Sequence, residues 1–120
     1  MIRRATLYQR TGGVHCAAVG DGSVLLCCED ASRLNALDKA IGSALLRQMT
    51  LCDTFVVLTG RISFEILLKA ATAKIALVTS LNIPSTLAVE AAEKFGITLI
   101  GSLLKEEQYT YTHPQRVQIN

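Results

Sequence analysis

The sequence predicts a single α/β domain with a mixed sheet, and three observations predict it. Two β-type segments flank a glycine-rich turn near the N-terminus. After them, helical-period segments alternate with short, continuously apolar runs. The 120 residues suffice for one hydrophobic core and would crowd two. Strands alternating with helices imply a layered domain whose later strands are mainly parallel, because a parallel pair needs a helix-length crossover. Residues 1–120 therefore read as one domain, an N-terminal hairpin followed by βαβ units.

The segment Val14 to Val19 has strand character, and Gly20-Asp21-Gly22-Ser23 is a turn signal before a second strand, Val24 to Cys28. The adjacent Cys27 and Cys28 point to opposite faces of that strand, which disfavours a vicinal disulfide. From Arg33 to about Gln48, Leu34, Leu37, Ile41 and Leu45 recur at helical spacing, with Ser32 placed to cap the first turn. That stripe predicts a core-bound face. Thr54 to Thr59 is β-branched and apolar, as expected of a strand buried on both faces, and Gly60 ends it. Ser63 to about Ala73 reads as a helix, Ile75 to Thr79 as a strand, and Leu81-Asn82-Ile83-Pro84 as a break. Ser85 to Phe95 is helical and is stopped by Gly96. Ile97 to Ile100 gives a further strand, and the tail from Tyr109 to Val117 an edge strand.

Half of the residues are hydrophobic and only 5% are aromatic, so the core is aliphatic. Little polar surface remains to cover it, and self-association is the expected outcome. A net charge of +2 argues for neither nucleic acid nor an anionic membrane as partner. The excess positive charge lies in residues 1–20, where Arg3, Arg4 and Arg10 meet no Asp or Glu. This is either a solvated face or the footprint of an anionic ligand. The apolar run from Leu45 to Leu58 is interrupted by Arg47, Gln48 and Asp53, so no stretch spans a membrane, and no signal-peptide pattern opens the chain. A cytoplasmic location follows. Cys16, Cys27, Cys28 and Cys52 show neither metal-ligand nor C-x-x-C spacing and read as small buried apolar residues.

In open α/β sheets, ligands bind beyond the carboxyl ends of strands, where helix N-termini present free amides. Thr59-Gly60-Arg61-Ile62-Ser63, Thr79-Ser80-Leu81-Asn82 and Glu29-Asp30-Ala31-Ser32-Arg33 fall at such places. Thr11-Gly12-Gly13-Val14-His15 precedes a strand and joins them only if that strand runs the other way. Gly60 permits close backbone approach, Arg61 offers a planar donor fork, and Ser63 can donate to an anion, a combination that suits phosphate. Equally, Ser63 can be a plain N-cap and Gly60 a plain turn. The polar run Asp30, Arg33, Asn35, Asp38 and Lys39 is either an exposed capping turn or a cluster holding a base or sugar. His15 and Cys16 face opposite ways on a strand and cannot form a catalytic dyad. His113, before Pro114, reads as a surface turn residue.

Four ordered blocks carry a family resemblance. They are Thr11-Gly12-Gly13-Val14-His15; Glu29-Asp30-x-x-Arg33-x-Asn35-Ala36-Leu37-Asp38-Lys39-x-x-Gly42; Gly60-Arg61-x-Ser63-x-Glu65-x-x-x-Lys69-Ala70-Ala71; and Tyr111-Thr112-His113-Pro114-x-Arg116. Together they resemble the C-terminal part of the FdhD family of formate dehydrogenase accessory sulfurtransferases. The resemblance implies a cytidine-deaminase-like fold and a homodimer. It also implies binding of the molybdenum cofactor in its bis-molybdopterin guanine dinucleotide form, with sulfur passing from a cysteine desulfurase to that cofactor for formate dehydrogenase.

By the same resemblance, Thr11, Gly12, Gly13, His15, Asp30, Arg33, Asn35, Asp38, Lys39, Gly60, Arg61 and Ser63 line the cofactor site, and GDP is a possible mimic. Ala31, Ser32 and Leu34 replace the Val, Gly and His of the family's usual Glu-Asp-Val-Gly-Arg-His-Asn. The family's sulfur-carrying C-x-x-C lies upstream of the Thr-Gly-Gly block, and none of the four cysteines here takes its place. No catalytic residue is therefore assigned, and the isolated chain is expected to be inactive as a sulfurtransferase. The alternative is a non-catalytic guanine-nucleotide-binding or dimerisation module. Zinc-dependent base deamination is excluded, and no zinc is expected, because His15-Cys16-Ala17 has no Glu and Pro84-Ser85-Thr86-Leu87 has no cysteines.

Overall fold

The computed structural model describes residues 14–102 and 109–116. Its strands are β1 (His15–Gly20), β2 (Leu25–Asp30), β3 (Phe55–Leu58), β4 (Leu77–Ser80), β5 (Thr98–Gly101) and β6 (Tyr109–Thr112). Its helices are α1 (Arg33–Leu46), α2 (Phe64–Thr72) and α3 (Thr86–Phe95), and single 3-10 turns occupy Leu51–Asp53 and Pro114–Arg116. The sheet order is β2-β1-β3-β4-β5-β6. β1 is antiparallel to both β2 and β3, β3 to β5 are parallel, and β6 returns antiparallel to β5. This is the mixed sheet that the element order predicts.

Local chemistry sets the boundaries. Asp21 Oδ1 accepts from the Ser23 and Val24 amides, and Gly22 sits at φ 96, so the β1–β2 turn closes on an Asx motif with one left-handed position. The two backbone donors hold the Asp21 carboxyl below the usual carboxylate range. Ser32, Ser63 and Ser85 each accept from the amide three residues on, at 3.3, 3.5 and 3.1 Å, capping α1, α2 and α3. Gly96 ends α3 in the left-handed conformation. The first strand starts one residue later than predicted and the second runs on to Asp30, so Glu29 and Asp30 belong to a strand end.

Connections from β2 to β3, β3 to β4 and β4 to β5 all advance the same way along the sheet. Right-handed crossovers therefore place α1, α2 and α3 on one face. One core cluster accordingly joins Ala17, Val19, Val56, Leu58, Val78 and Leu99 to buried residues of α1, α2 and α3. This corrects the prediction that β3 is buried on both faces. Val56 and Leu58 are buried, while Phe55 and Val57, pointing to the other face, are half-buried.

The predicted core stripe of α1 is also corrected. Ala36, Leu37, Ala40 and Ala44 are buried, whereas Leu34 and Ile41 are half-buried and Leu45 is 58% exposed. Three alanines at helical spacing let α1 lie close to the sheet with Leu37 in the core, which leaves Leu34 and Ile41 at the core's edge and Leu45 outside it. They line a groove of about 750 Å³ between α1 and α2 with Leu51 and Leu68. Among the described residues, no helix is long and apolar enough to cross a membrane.

Candidate functional site

The antiparallel course of β1 decides how the polar segments meet. Ala17 pairs with Leu58 and His15 with Asp30, so the start of β1 lies at the same sheet end as the ends of β2 and β3. Helices α1, α2 and α3 all begin at that end, each with its positive dipole end toward it.

Gly60 sits directly beneath His15. A methyl group added at Gly60 would lie 3.0 Å from His15 Nδ1, 3.3 Å from His15 Cε1 and 3.7 Å from Arg33 Cδ. Strand ends 45 residues apart in sequence thereby approach so closely that the His15 imidazole leaves no free room for a side chain at Gly60, with the Arg33 stem alongside. Thr59 anchors the junction: its Oγ1 accepts from the Cys16 amide at 3.0 Å, and its amide donates to the Cys16 carbonyl at 3.1 Å. Ser80 Oγ donates a short hydrogen bond to the Gly60 carbonyl and accepts from the Asn82 amide at 3.0 Å. Further bonds from the Leu81 amide to the Leu58 carbonyl, the Ser85 amide to the Ile62 carbonyl and the Ser102 amide to the Asn82 carbonyl stitch together the segments following β3, β4 and β5.

A charged group adjoins this junction. Lys39 Nζ lies 2.7 Å from Asp30 Oδ2 and donates to the Glu29 carbonyl at 3.2 Å, while the Ser32 amide donates to Asp30 Oδ1 at 2.9 Å. The Lys39 ammonium first, then the Ser32 amide, holds the Asp30 carboxyl below the usual carboxylate range; Asn35 contributes in the same direction. Asp30 is thus an anion fixed by neighbours, and it is the direct register partner of His15. Arg33 is half-buried and Arg61 exposed at the same end.

Asp38 departs from this grouping. Both its oxygens accept from Lys69 Nζ at 2.9 Å across the α1–α2 interface, and the pair rims the apolar groove. The sequence placed Asp38 beside Lys39; the helix instead sends the two adjacent residues to different partners. Ser63 spends its oxygen on the α2 cap. Thr11, Gly12 and Gly13 lie outside the described residues. Sequence reasoning missed Ser80 and Lys69 as positioning residues. Ser80 stood in a segment recognised as a strand end, and Lys69 in one of the resemblance blocks.

The cysteines divide. Cys16 is buried, Cys27 and Cys28 are half-buried and Cys52 is exposed, so the expectation of four buried thiols holds for Cys16 alone. His113 is more than a turn residue, because its Nε2 contacts the Glu93 carbonyl of α3 at 3.0 Å. Arg116 donates to the Gly96 carbonyl at 2.7 Å, fastening the tail at the opposite end of the sheet.

The FdhD/NarQ family profile matches residues 1–118. The chain is 38% identical over 120 residues to the sulfur carrier protein FdhD of Picrophilus torridus, covering 98% of this chain and 46% of that protein. It is 45% identical over 112 residues to the protein of the same name from Bacillus subtilis, covering 92% and 43%. A crystal structure described as a candidate formate dehydrogenase accessory protein, from Desulfotalea psychrophila, superposes with a TM-score of 0.88 at 30% identity over 98% of this chain and 51% of that one. The chain thus spans about half the length of the proteins it matches.

Proposed function

The chain belongs to the FdhD/NarQ family, and from that premise we propose that it is the cofactor-binding part of an FdhD-like accessory protein for formate dehydrogenase. Its cargo is the molybdenum cofactor in its bis-molybdopterin guanine dinucleotide form. Sulfuration of that cofactor, with sulfur from a cysteine desulfurase, belongs to the whole protein. The share assigned to this chain is to hold the nucleotide end. A cytoplasmic location goes with this role.

The observation that carries the reading is that His15, Arg33 and Gly60 meet at the sheet end where α1, α2 and α3 begin, with Asp30 and Lys39 beside them and Arg61 exposed in the segment after Gly60. A dinucleotide brings phosphates and a base. The helix dipoles, the Arg33 and Arg61 guanidinium groups and the half-buried, side-chain-free backbone at Gly60 favour the phosphates. The mixed donors and acceptors of Asp30, Asn35 and Lys39 suit a base and sugar. Ser80 holds the Gly60 backbone from below.

GDP tests this directly. At 1 mM, a ligand with a dissociation constant of about 100 μM stabilises the native state by about 1.4 kcal/mol, a shift of several degrees in Tm. GDP is expected to give that shift, ADP a smaller one, and Arg61→Ala to reduce it. No shift with GDP, or an Arg61→Ala variant that binds it as well as the parent, would overturn the assignment.

One observation favours an association role as well. The α1–α2 groove presents Leu45 at 58% and Leu68 at 45% exposure within an apolar lining, which supports a homodimer formed through this face. Sedimentation of the parent and of Leu45→Glu tests it: the charge should shift a dimer to monomer, and a parent that sediments as a monomer excludes the dimer.

A further inference from the structure

We propose that Cys16 and Cys27 form a reversible intramolecular disulfide across strands β1 and β2, a modification site adjoining the proposed nucleotide site. Cys27 is the register partner of Ala18, and Cys16 lies two residues from Ala18 on the same sheet face, so the two cysteines are diagonal neighbours. Their Sγ atoms are 2.9 Å apart. Diagonal neighbours typically stand about 7–8 Å apart, beyond the backbone spacing an unstrained disulfide accepts, so closing the bond requires the two strands to shift toward each other. The thiols already approach across that gap, and β2 lies at the end of the sheet order among the described residues, where it can yield to such a shift.

The neighbouring thiols do not compete. Cys28 points to the opposite face, with Ser43 Oγ 3.7 Å from its sulfur. Cys52 is exposed in the 3-10 turn that leads into the start of β3, whereas Cys16 hydrogen-bonds Thr59 just beyond its end. The two partners also differ in access. Cys16 is 1% exposed, while Cys27 is half-buried. Burial, reinforced by the adjacent Cys27, pushes the Cys16 thiol well above the usual thiol range, so it is not the group that meets an oxidant first.

The chemistry balances with a peroxide as oxidant. The Cys27 sulfur takes one oxygen from hydrogen peroxide, giving a sulfenic acid and one water. The Cys16 sulfur then displaces hydroxide from the Cys27 sulfur. The S–S bond forms, and the thiol proton and hydroxide leave as a second water. Two thiols have given up two hydrogens and two electrons, and one peroxide has accepted them. A dithiol reverses the change by exchange. The bond would fix β1 to β2 next to the His15–Asp30 register pair.

The test oxidises the full reduced chain with stoichiometric hydrogen peroxide, alkylates the remaining thiols and cleaves before Asp21, which separates Cys16 from Cys27. The expected product is about 2 Da lighter than the reduced chain before alkylation. It retains two alkylatable thiols, Cys28 and Cys52, and yields a linked Cys16–Cys27 peptide that a dithiol releases. Cys28→Ser should form the same link and Cys27→Ser should not. A link through Cys28 or Cys52, or Cys27 carried to its sulfinic acid while Cys16 stays a thiol, overturns the proposal.

Discussion

Replacing Gly60 with alanine separates the packing at the strand ends from its proposed role in binding. The added methyl would meet His15 Nδ1 at 3.0 Å and Cε1 at 3.3 Å, while the Arg33 stem at 3.7 Å is in ordinary contact. The crowded neighbour is thus a half-buried side-chain ring and not backbone, and it has to move by a few tenths of an ångström. Insertion of a methylene into a close-packed interior costs about 1–3 kcal/mol, and a ring with a solvent-facing side should sit at the low end, about 1 kcal/mol. For a domain of this size that is a Tm decrease of about 3–5 °C. If His15 and the Gly60 backbone touch the nucleotide, shifting the ring and covering the backbone with a methyl should weaken GDP by about tenfold, or about 1.4 kcal/mol. Differential scanning fluorimetry gives the first quantity and isothermal titration the second. A variant with lowered Tm and unchanged GDP affinity would refute the placement of the nucleotide over Gly60, and an unchanged Tm would refute the packing itself.

The alanine-lined core face of α1 predicts that Ala40→Leu, which forces a larger side chain between helix and sheet, destabilises the chain by about 1–3 kcal/mol in urea unfolding, while Leu45→Ala stays within about 0.5 kcal/mol. Because the Asp30 carboxyl is held below its ordinary range when folded, it stabilises the fold fully above the ordinary carboxylate range, and that contribution is lost as pH falls through the folded value. Lys39→Met should therefore flatten the acid limb of stability against pH; an unaltered limb between pH 6 and 3 would count against the pair. A double-mutant cycle on Asp38 and Lys69, both more than a third exposed, should give a coupling of about 0.2–1 kcal/mol that shrinks in high salt.

Element order and helix caps were legible because they depend on local chemistry. Asp21 and Gly22 in the turn, serines 32, 63 and 85 before helices, and Gly96 after one act within four residues of themselves. Which side of a helix faces the sheet is not local. Leu34, Ile41 and Leu45 satisfy helical periodicity as well as Ala36, Ala40 and Ala44 do, and a hydrophobic scale prefers the leucines. Close helix–sheet approach prefers the alanines, and approach wins. The continuous apolar run in β3 could not reveal that its crossovers share one hand and leave a sheet face without α1, α2 or α3. At the candidate site, the strand-end rule identified the segments, but the place of His15 needed the direction of β1, and the pairing of Asp38 with Lys69 spans 31 residues.

The union of β1 with β3 also has a kinetic meaning. The β1–β2 hairpin closes across a short turn, whereas the Cys16–Thr59 bonds join residues 43 apart and wait for the α1 segment to pack. Contacts of long sequence separation are reached late, because the chain entropy between them must be lost first. His15 and Gly60 come together only at that step. A nascent or partly unfolded chain, hairpin formed but β3 unpaired, therefore presents no assembled sheet-end site, and ligand binding there reports on completed folding. Amide exchange at Cys16 and Thr59 should accordingly track global unfolding and slow on ligand addition.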